Sequence, residues 1–366
     1  MEKYDPFSKF KRPKTVSGVF TETEVELANR NSGMPLESLE LDITPLGQHY
    51  ILSHFDIPNL TNDKHIVVFS GDFSDPFSLS YDEIKSLPTK TLSVTLECAG
   101  NGRTGFEPRS FSMPWKYGAV GTSQWTGTLL KPLLQKANPK SEVIEVSFTG
   151  ADRGYDSGHE HNFARSLTMK QLEELEVLLV YAMNGSPLLP QHGAPLRIIV
   201  PGWYGMASVK WLTEIKALSK PFEGYQQIGT YQFRRTRADI GEPITEIRVK
   251  SLMKPPGLPD WTTRKRLVSP GLVPLTGRAW SGGGKRITKV EVLINGKWIQ
   301  ANLEPQDSKY AWTKWTLEWQ AEPGHHILSC RASDETGDIQ PANPIYDVGG
   351  FANNSIQKVE VFVGKY

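Results

Sequence analysis

The chain has 366 residues, enough for about two domains that each bury a core. Its 41 Lys and Arg residues balance 40 Asp and Glu residues, leaving a net charge of +1. That balance argues against a nucleic-acid or membrane-surface partner, and no apolar run approaches the ~20 residues of a membrane span.

The first fourteen residues are charged, contain proline and lack the apolar region of a secretory signal. The chain therefore reads as cytoplasmic. Its two cysteines, Cys98 and Cys330, make no disulfide framework and suit a reducing compartment. No Cys-x-x-Cys-His occurs, so no c-type haem is expected.

In chain order, Tyr50-Ile51-Leu52-Ser53-His54 is an apolar, strand-like stretch carrying one histidine. Residues 66–69 and 91–97 read as short strands, and 123–133 as a helix. Residues 143–148 read as a strand that ends in a turn at 150–154, which holds Asp152. The segment 158–167 reads as a solvated loop, with His159, His161 and Arg165 as further donors. Leu172, Leu175 and Leu178 recur at helical spacing over 168–178. His192-Gly193-Ala194-Pro195-Leu196-Arg197 leads into an apolar run, and 201–211 is a turn entering a helix or strand. Short elements and frequent Gly and Pro suit an α+β arrangement.

Beyond Arg235 the character changes. Residues 242–251, 287–294, 297–302, 312–319 and 326–332 alternate polar and apolar side chains. Asn295-Gly296 between two such runs signals a two-residue hairpin. These features predict an antiparallel β-sandwich, with a boundary near 236–241 that divides the chain into 1–238 and 239–366. Cys330 falls in one of its apolar strands and is expected in the core.

Cys98 stands apart. It lies in Glu97-Cys98-Ala99-Gly100-Asn101-Gly102-Arg103, a Gly-rich turn after a strand. Glycines there allow positive φ and close approach of backbone to a ligand. Arg103 is near enough to offset a thiolate. A buried apolar cysteine explains the residue type equally well. Three functional classes follow: a metal or cofactor enzyme, a metal-free cysteine nucleophile paired with a histidine, and an interaction protein whose sandwich carries function.

These stretches together, in this order, resemble the molybdopterin-dependent sulfite oxidase family. Its Cys-Ala-Gly-Asn motif matches Cys98 to Asn101. Its His-Gly-x-Pro-x-Arg stretch matches His192 to Arg197, and its Val-Pro-Gly-x-x-Gly-x-x-x-Val-Lys-Trp stretch matches Val200 to Trp211. The resemblance implies a molybdopterin-binding α+β domain followed by an immunoglobulin-like sandwich that forms a homodimer. Cys98 is implied as the protein's ligand to molybdenum. Tyr50, Ser53, His54, Asp152, His192, Arg197, Ser208, Val209 and Lys210 are implied as cofactor contacts. Arg103, Trp115 and Tyr231, with Tyr225 the alternative to Tyr231, are implied beside the substrate. The cofactor would be the molybdenum–molybdopterin group, without haem or flavin. The substrate would be a small anionic or sulfur-containing molecule, and a separate partner would exchange the electrons.

The chain departs from that pattern at two of three arginines expected around an oxyanion. Leu52 stands where one is expected, and Gly349 is the nearest match to another. Loss of a bidentate donor weakens capture of a dianion such as sulfite. That opens a second reaction with the same cofactor, reduction of S- or N-oxides.

Overall fold

The structure, a computed structural model, describes residues 20–364. The N-terminal segment read for a targeting signal, residues 1–14, lies outside them. No helix among the described residues is long and apolar enough to cross a membrane.

Two five-stranded sheets build the first part of the chain. In one, strands run in the order Phe77–Ser80, Ile66–Gly71, Leu212–Leu218, Glu145–Asp156 and His159–Thr168. Ile66–Gly71 and Leu212–Leu218 pair in parallel and the rest antiparallel. In the other, Lys90–Glu97, Val120–Leu129, Leu178–Met183 and Ser186–Pro187 follow in order, and Arg197–Ile199 also pairs with Leu178–Met183. Val67, Phe69, Phe148, Leu179, Ile198 and Ile215 are fully buried around these sheets.

Three expectations for this region change. Residues 123–133 are not one helix: Val120–Leu129 is a strand, and the helix is Leu130–Ala137. That strand pairs on both edges, and its Thr and Val residues favour the pleat, so sheet pairing outweighs helical spacing. Residues 150–154 are no turn. The strand runs on to Asp156 with a register shift between Thr149 and Arg153, and Asp152 sits in that irregularity. Residues 158–167 are no loop either, because His159–Thr168 returns as the partner strand after a turn at Ser157-Gly158. Over 168–178, Thr168 caps a short helix, Met169–Glu174, through a capping box with Gln171. Leu178 already belongs to the next strand.

The C-terminal part stacks two sheets. One orders Lys250–Met253, Gly271–Trp280, Thr313–Ala321 and Asn302–Leu303. The other orders Leu258–Pro259, Arg266–Val268, Gln357–Val363, Gly324–Asp334, Ile287–Ile294 and Lys297–Gln300. Asn295 and Gly296 take φ of 49° and 78° and turn the chain between Ile287–Ile294 and Lys297–Gln300, as read. Leu275, Val290, Val292, Trp315, Leu328, Val361 and Cys330 fill the space between the sheets. The pairing is not wholly antiparallel: Arg266–Val268 runs parallel to Gln357–Val363. The long connection between those two strands lets them meet in the same direction.

The two parts are locked together beside Cys98. Glu97 and Lys250 are each about 1% exposed and form an ion pair of 2.7 Å. The Glu97 carboxylate also accepts from Asn101 Nδ2 and Trp280 Nε1, each at 2.9 Å. Lys250 Nζ donates further to the Asn353 carbonyl at 2.8 Å. A buried pair this fully bonded fixes one arrangement of the strands that meet at it.

Candidate active site

Cys98 follows the last residue of strand Lys90–Glu97 and is anchored by its own N–H to the Ala119 carbonyl at 2.9 Å. The loop after it is tight. Gly102 has φ of 89°, and a Cβ at Gly100 would meet the Arg103 guanidinium at 2.5 Å. Glycine at 100 therefore lets Arg103 fold back over the loop. The C-terminal segment clasps it from outside: Ala352 N–H donates to the Ala99 carbonyl at 2.7 Å, and Asn353 Nδ2 to the Gly102 carbonyl at 2.8 Å.

Two clefts meet at Cys98, and Leu52, His54 and Tyr231 also line both. The first spans about 670 Å³ including its opening to solvent and gathers Tyr50, Asp152, His192, Arg197, Ser208 and Lys210. The second likewise spans about 710 Å³ and gathers Ser53, Arg103, Trp115, Met113, Gln226 and Phe351. Residues read as candidates from six separate stretches of sequence thus converge on one thiol. Val209 does not line either cleft: it is buried, and its carbonyl accepts from Ile198 N–H. Gly349 is also absent from both walls.

The first cleft is a desolvated cationic site. Lys210 Nζ donates to the Leu52 carbonyl at 2.9 Å, the Gln191 carbonyl at 3.0 Å and Ser53 Oγ at 3.1 Å. Burial, with Arg197 nearby, pushes its pKa down to about 7, against an opposing pull from Asp152. Arg197 donates to the His192 and Ser208 carbonyls, and burial lowers it to about 10. Burial pushes Asp152 up to about 7. His49 and His192 are driven down to about 4 and about 3, so both imidazoles are neutral. Among the described residues, His49 Nε2, His192 Nε2 and Arg197 Nε are buried with no hydrogen-bond partner. Orphaned polar atoms around a cleft of this size call for a polar ligand to complete them. Cations held in low dielectric, beside a carboxyl and imidazoles, suit an anionic group with N–H donors of its own. A phosphate-bearing pterin fits that donor set.

The second cleft is mixed. Tyr231 has φ of 44°, an unusual backbone for an aromatic residue, and its hydroxyl is 2.8 Å from His54 Nε2. Arg103 donates to the Met113 carbonyl at 2.9 Å, and the Phe351 ring lies 5.1 Å from its guanidinium carbon. Arg103, Gly100 N–H and the Trp115 indole all favour a thiolate at Cys98, as the sequence suggested for Arg103. Burial is the larger effect, and the thiol is pushed up overall. Tyr225 lies outside both walls, stacked on His159 with ring centroids 5.0 Å apart. His161 and Arg165 do not line the clefts either: both engage Gln226, one through its side chain and one through its carbonyl.

Sequence reasoning missed many residues of these walls, among them His49, Met113, Gln226 and Phe351. His49 had a signal, since it directly precedes Tyr50 in the stretch singled out. Met113, Gln226 and Phe351 had none, because only folding brings them to Cys98. Phe351 is presented by a turn that Asp347 ties down through the N–H groups of Arg234 and Phe351.

The oxidoreductase molybdopterin binding domain matches residues 54–226, and the Mo-co oxidoreductase dimerisation domain matches residues 242–364. Rat mitochondrial sulfite oxidase (Rattus norvegicus) is 32% identical over 358 residues, which cover 91% of this chain and 64% of that protein. The chain belongs to the sulfite oxidase family of molybdopterin-dependent oxidoreductases. Human mitochondrial sulfite oxidase (Homo sapiens) matches at 32% over the same shares, and the NADH nitrate reductase of Lotus japonicus at 29% over 88% of this chain and 39% of its own length. This family member thus spans about 64% of the length of those sulfite oxidases. Its fold is that of the sulfane dehydrogenase SoxCD from Paracoccus pantotrophus, with a TM-score of 0.79, 24% identity, and coverage of 95% of this chain and 93% of that one.

Proposed function

We propose that this oxidoreductase oxidises sulfite or a closely related sulfur compound by oxygen-atom transfer and passes the electrons to a separate acceptor. In the sulfite case the balance is sulfite plus water giving sulfate, two protons and two electrons. The observation that carries this reading is the single thiol at the junction of two clefts, one built for an anionic cofactor and one holding Arg103 and Tyr231. A bound molybdenum–molybdopterin group would supply the two-electron redox centre, with Cys98 as its soft protein ligand. Arg197, Lys210, His192 and Ser208 would hold its phosphate end, and Tyr50, Ser53, His54 and Asp152 its pterin. Arg103 would orient the substrate, and the Tyr231 hydroxyl would be held in place by His54. Trp115 would shield the metal face of Cys98. Burial raises the Cys98 thiol, which disfavours a metal-free nucleophile; a bound cation would deprotonate it.

The matched dimerisation domain supports a homodimer, and two free cysteines support a reducing compartment such as the cytoplasm. The proposed division into 1–238 and 239–366 falls within the exposed stretch 235–240. No haem or flavin role is assigned to this chain. Elemental analysis of protein from a host that makes the cofactor, with steady-state kinetics on sulfite and an artificial acceptor, tests the reading. Molybdenum near one per chain and sulfite turnover by a particle of twice the chain mass are expected. Molybdenum-loaded protein that reduces an S- or N-oxide but does not oxidise sulfite would reverse the assigned direction.

Arg197→Met and Lys210→Met should purify with depleted molybdenum. Each change strands buried negative charge on the cofactor, and a charge-assisted contact is worth about 1.5–3 kcal/mol, or roughly ten- to a hundred-fold in affinity. Wild-type metal content in both variants would remove these residues from the cofactor site.

A further inference from the structure

Gln226 carries an inference about which form of substrate the second cleft accepts, and it rests on the function proposed above. Gln226 lines that cleft, is 1% exposed, and its Oε1 is buried without a hydrogen-bond partner among the described residues. Its orientation follows from a chain of hydrogen bonds. His161 Nδ1 lies 2.9 Å from the His159 carbonyl, and a carbonyl can only accept. Nδ1 therefore carries the proton in the neutral ring, and Nε2 is left as an acceptor. His161 Nε2 is 3.0 Å from Gln226 Nε2, so the Gln226 amide N–H donates to it. With the amide nitrogen committed to His161, Oε1 is the free face of the side chain. The Gln226 backbone is fixed as well, because its carbonyl accepts from Arg165, a buried arginine.

The cleft therefore offers a desolvated acceptor. A buried acceptor that stays unpaired costs free energy, so a ligand that donates to it is favoured over an isostere that cannot. The rest of the wall points the same way. Arg103 is the one guanidinium lining this cleft among the described residues, whereas Leu52, Met113 and Phe351 are apolar. One guanidinium, with the Asp156 carboxyl in the same wall beside the Gln226 acceptor, matches an anion of low charge that bears its own hydrogen-bond donor. A donor-free dianion would face both an unpaired charge and repulsion from the amide oxygen.

We propose that Gln226 is a specificity-determining residue that accepts a hydrogen bond from the substrate, and that the cleft selects monoanionic, donor-bearing sulfur species, of which protonated sulfite is the simplest.

Sulfamate and methanesulfonate test this directly. Both are monoanions of nearly the same shape, and they differ in an N–H donor against a methyl group. Their dissociation constants would be measured by calorimetry on the molybdenum-loaded protein. Sulfamate should bind about 5- to 100-fold more tightly, the range that one buried hydrogen bond covers. Gln226→Leu should bring the two to within about twofold, and Gln226→Met, which keeps the length of the side chain, should do the same if the leucine variant folds poorly. Equal binding in the wild type, or no binding of either anion, overturns the proposal without any variant. A preference that survives both substitutions also overturns it, and assigns the acceptor role to another group such as Asp156. The measurement is of binding, so it is separate from the proposed reaction: absent sulfite turnover with a sulfamate preference intact would sink the reaction and leave the selectivity of Gln226 standing.

Discussion

Cys98→Ser should abolish oxygen-atom transfer while the fold is retained. The substitution exchanges one buried atom at the end of strand Lys90–Glu97 and leaves the backbone bond from Cys98 to Ala119 in place. A serine hydroxyl is harder and far less acidic than a thiol, so it is a poor substitute beside the cofactor's sulfurs. Loss of a residue that merely supports a metal ligand costs about 10- to 100-fold in affinity or activity, and loss of the ligand itself should exceed that. Circular dichroism should be unchanged, and activity per bound molybdenum should fall by more than about 100-fold. A folded serine variant with full activity would remove Cys98 from the metal.

Lys250→Met should be the most destabilising single change proposed for this protein. It leaves the Glu97 carboxylate buried with two neutral donors, Asn101 and Trp280, and no countercharge. Breaking a buried pair in this way costs about 3–5 kcal/mol, whereas replacing both partners together costs much less. Glu97→Gln combined with Lys250→Met should therefore recover at least half of the loss in urea denaturation. The site should respond too, because Glu97 precedes Cys98 and Asn101 holds the Ala119 N–H through its own side chain at 3.1 Å. The Lys250→Met variant should retain less molybdenum than the double variant. A loss below about 1 kcal/mol for Lys250→Met would mean that the pair contributes no more than a surface contact.

Much of the local structure was legible because it depends on neighbours in sequence. Asn295-Gly296 needed no partner to specify its turn, and Ile287–Ile294 showed its alternating pattern openly. The 123–133 segment shows the opposite case. Its side chains fit a helix until Lys90–Glu97 and Leu178–Met183 supply hydrogen bonds on both edges, and only the tertiary fold supplies those edges. The irregularity at Asp152 was hidden for the same reason, since a shifted register has no meaning without the partner strand.

The same division runs through the site. Cys98, the His192–Arg197 stretch and Lys210 could be singled out as candidates from their motifs and order through the family resemblance, and the fold brings them to one cleft. The family resemblance marked Leu52 as an uncharged residue where an arginine is expected, and Leu52 lines both clefts. Sequence could not show the final balance at Cys98, where burial outweighs Arg103, because desolvation depends on how many atoms the whole fold packs around the thiol. Nor could it show that Phe351 would cover Arg103 from some 250 positions away, or that Gln226 would present its oxygen rather than its nitrogen. A single residue carries its own chemistry in the sequence. Its solvation, its countercharge and the direction of its hydrogen bonds come from distant parts of the chain, and those only folding brings within reach.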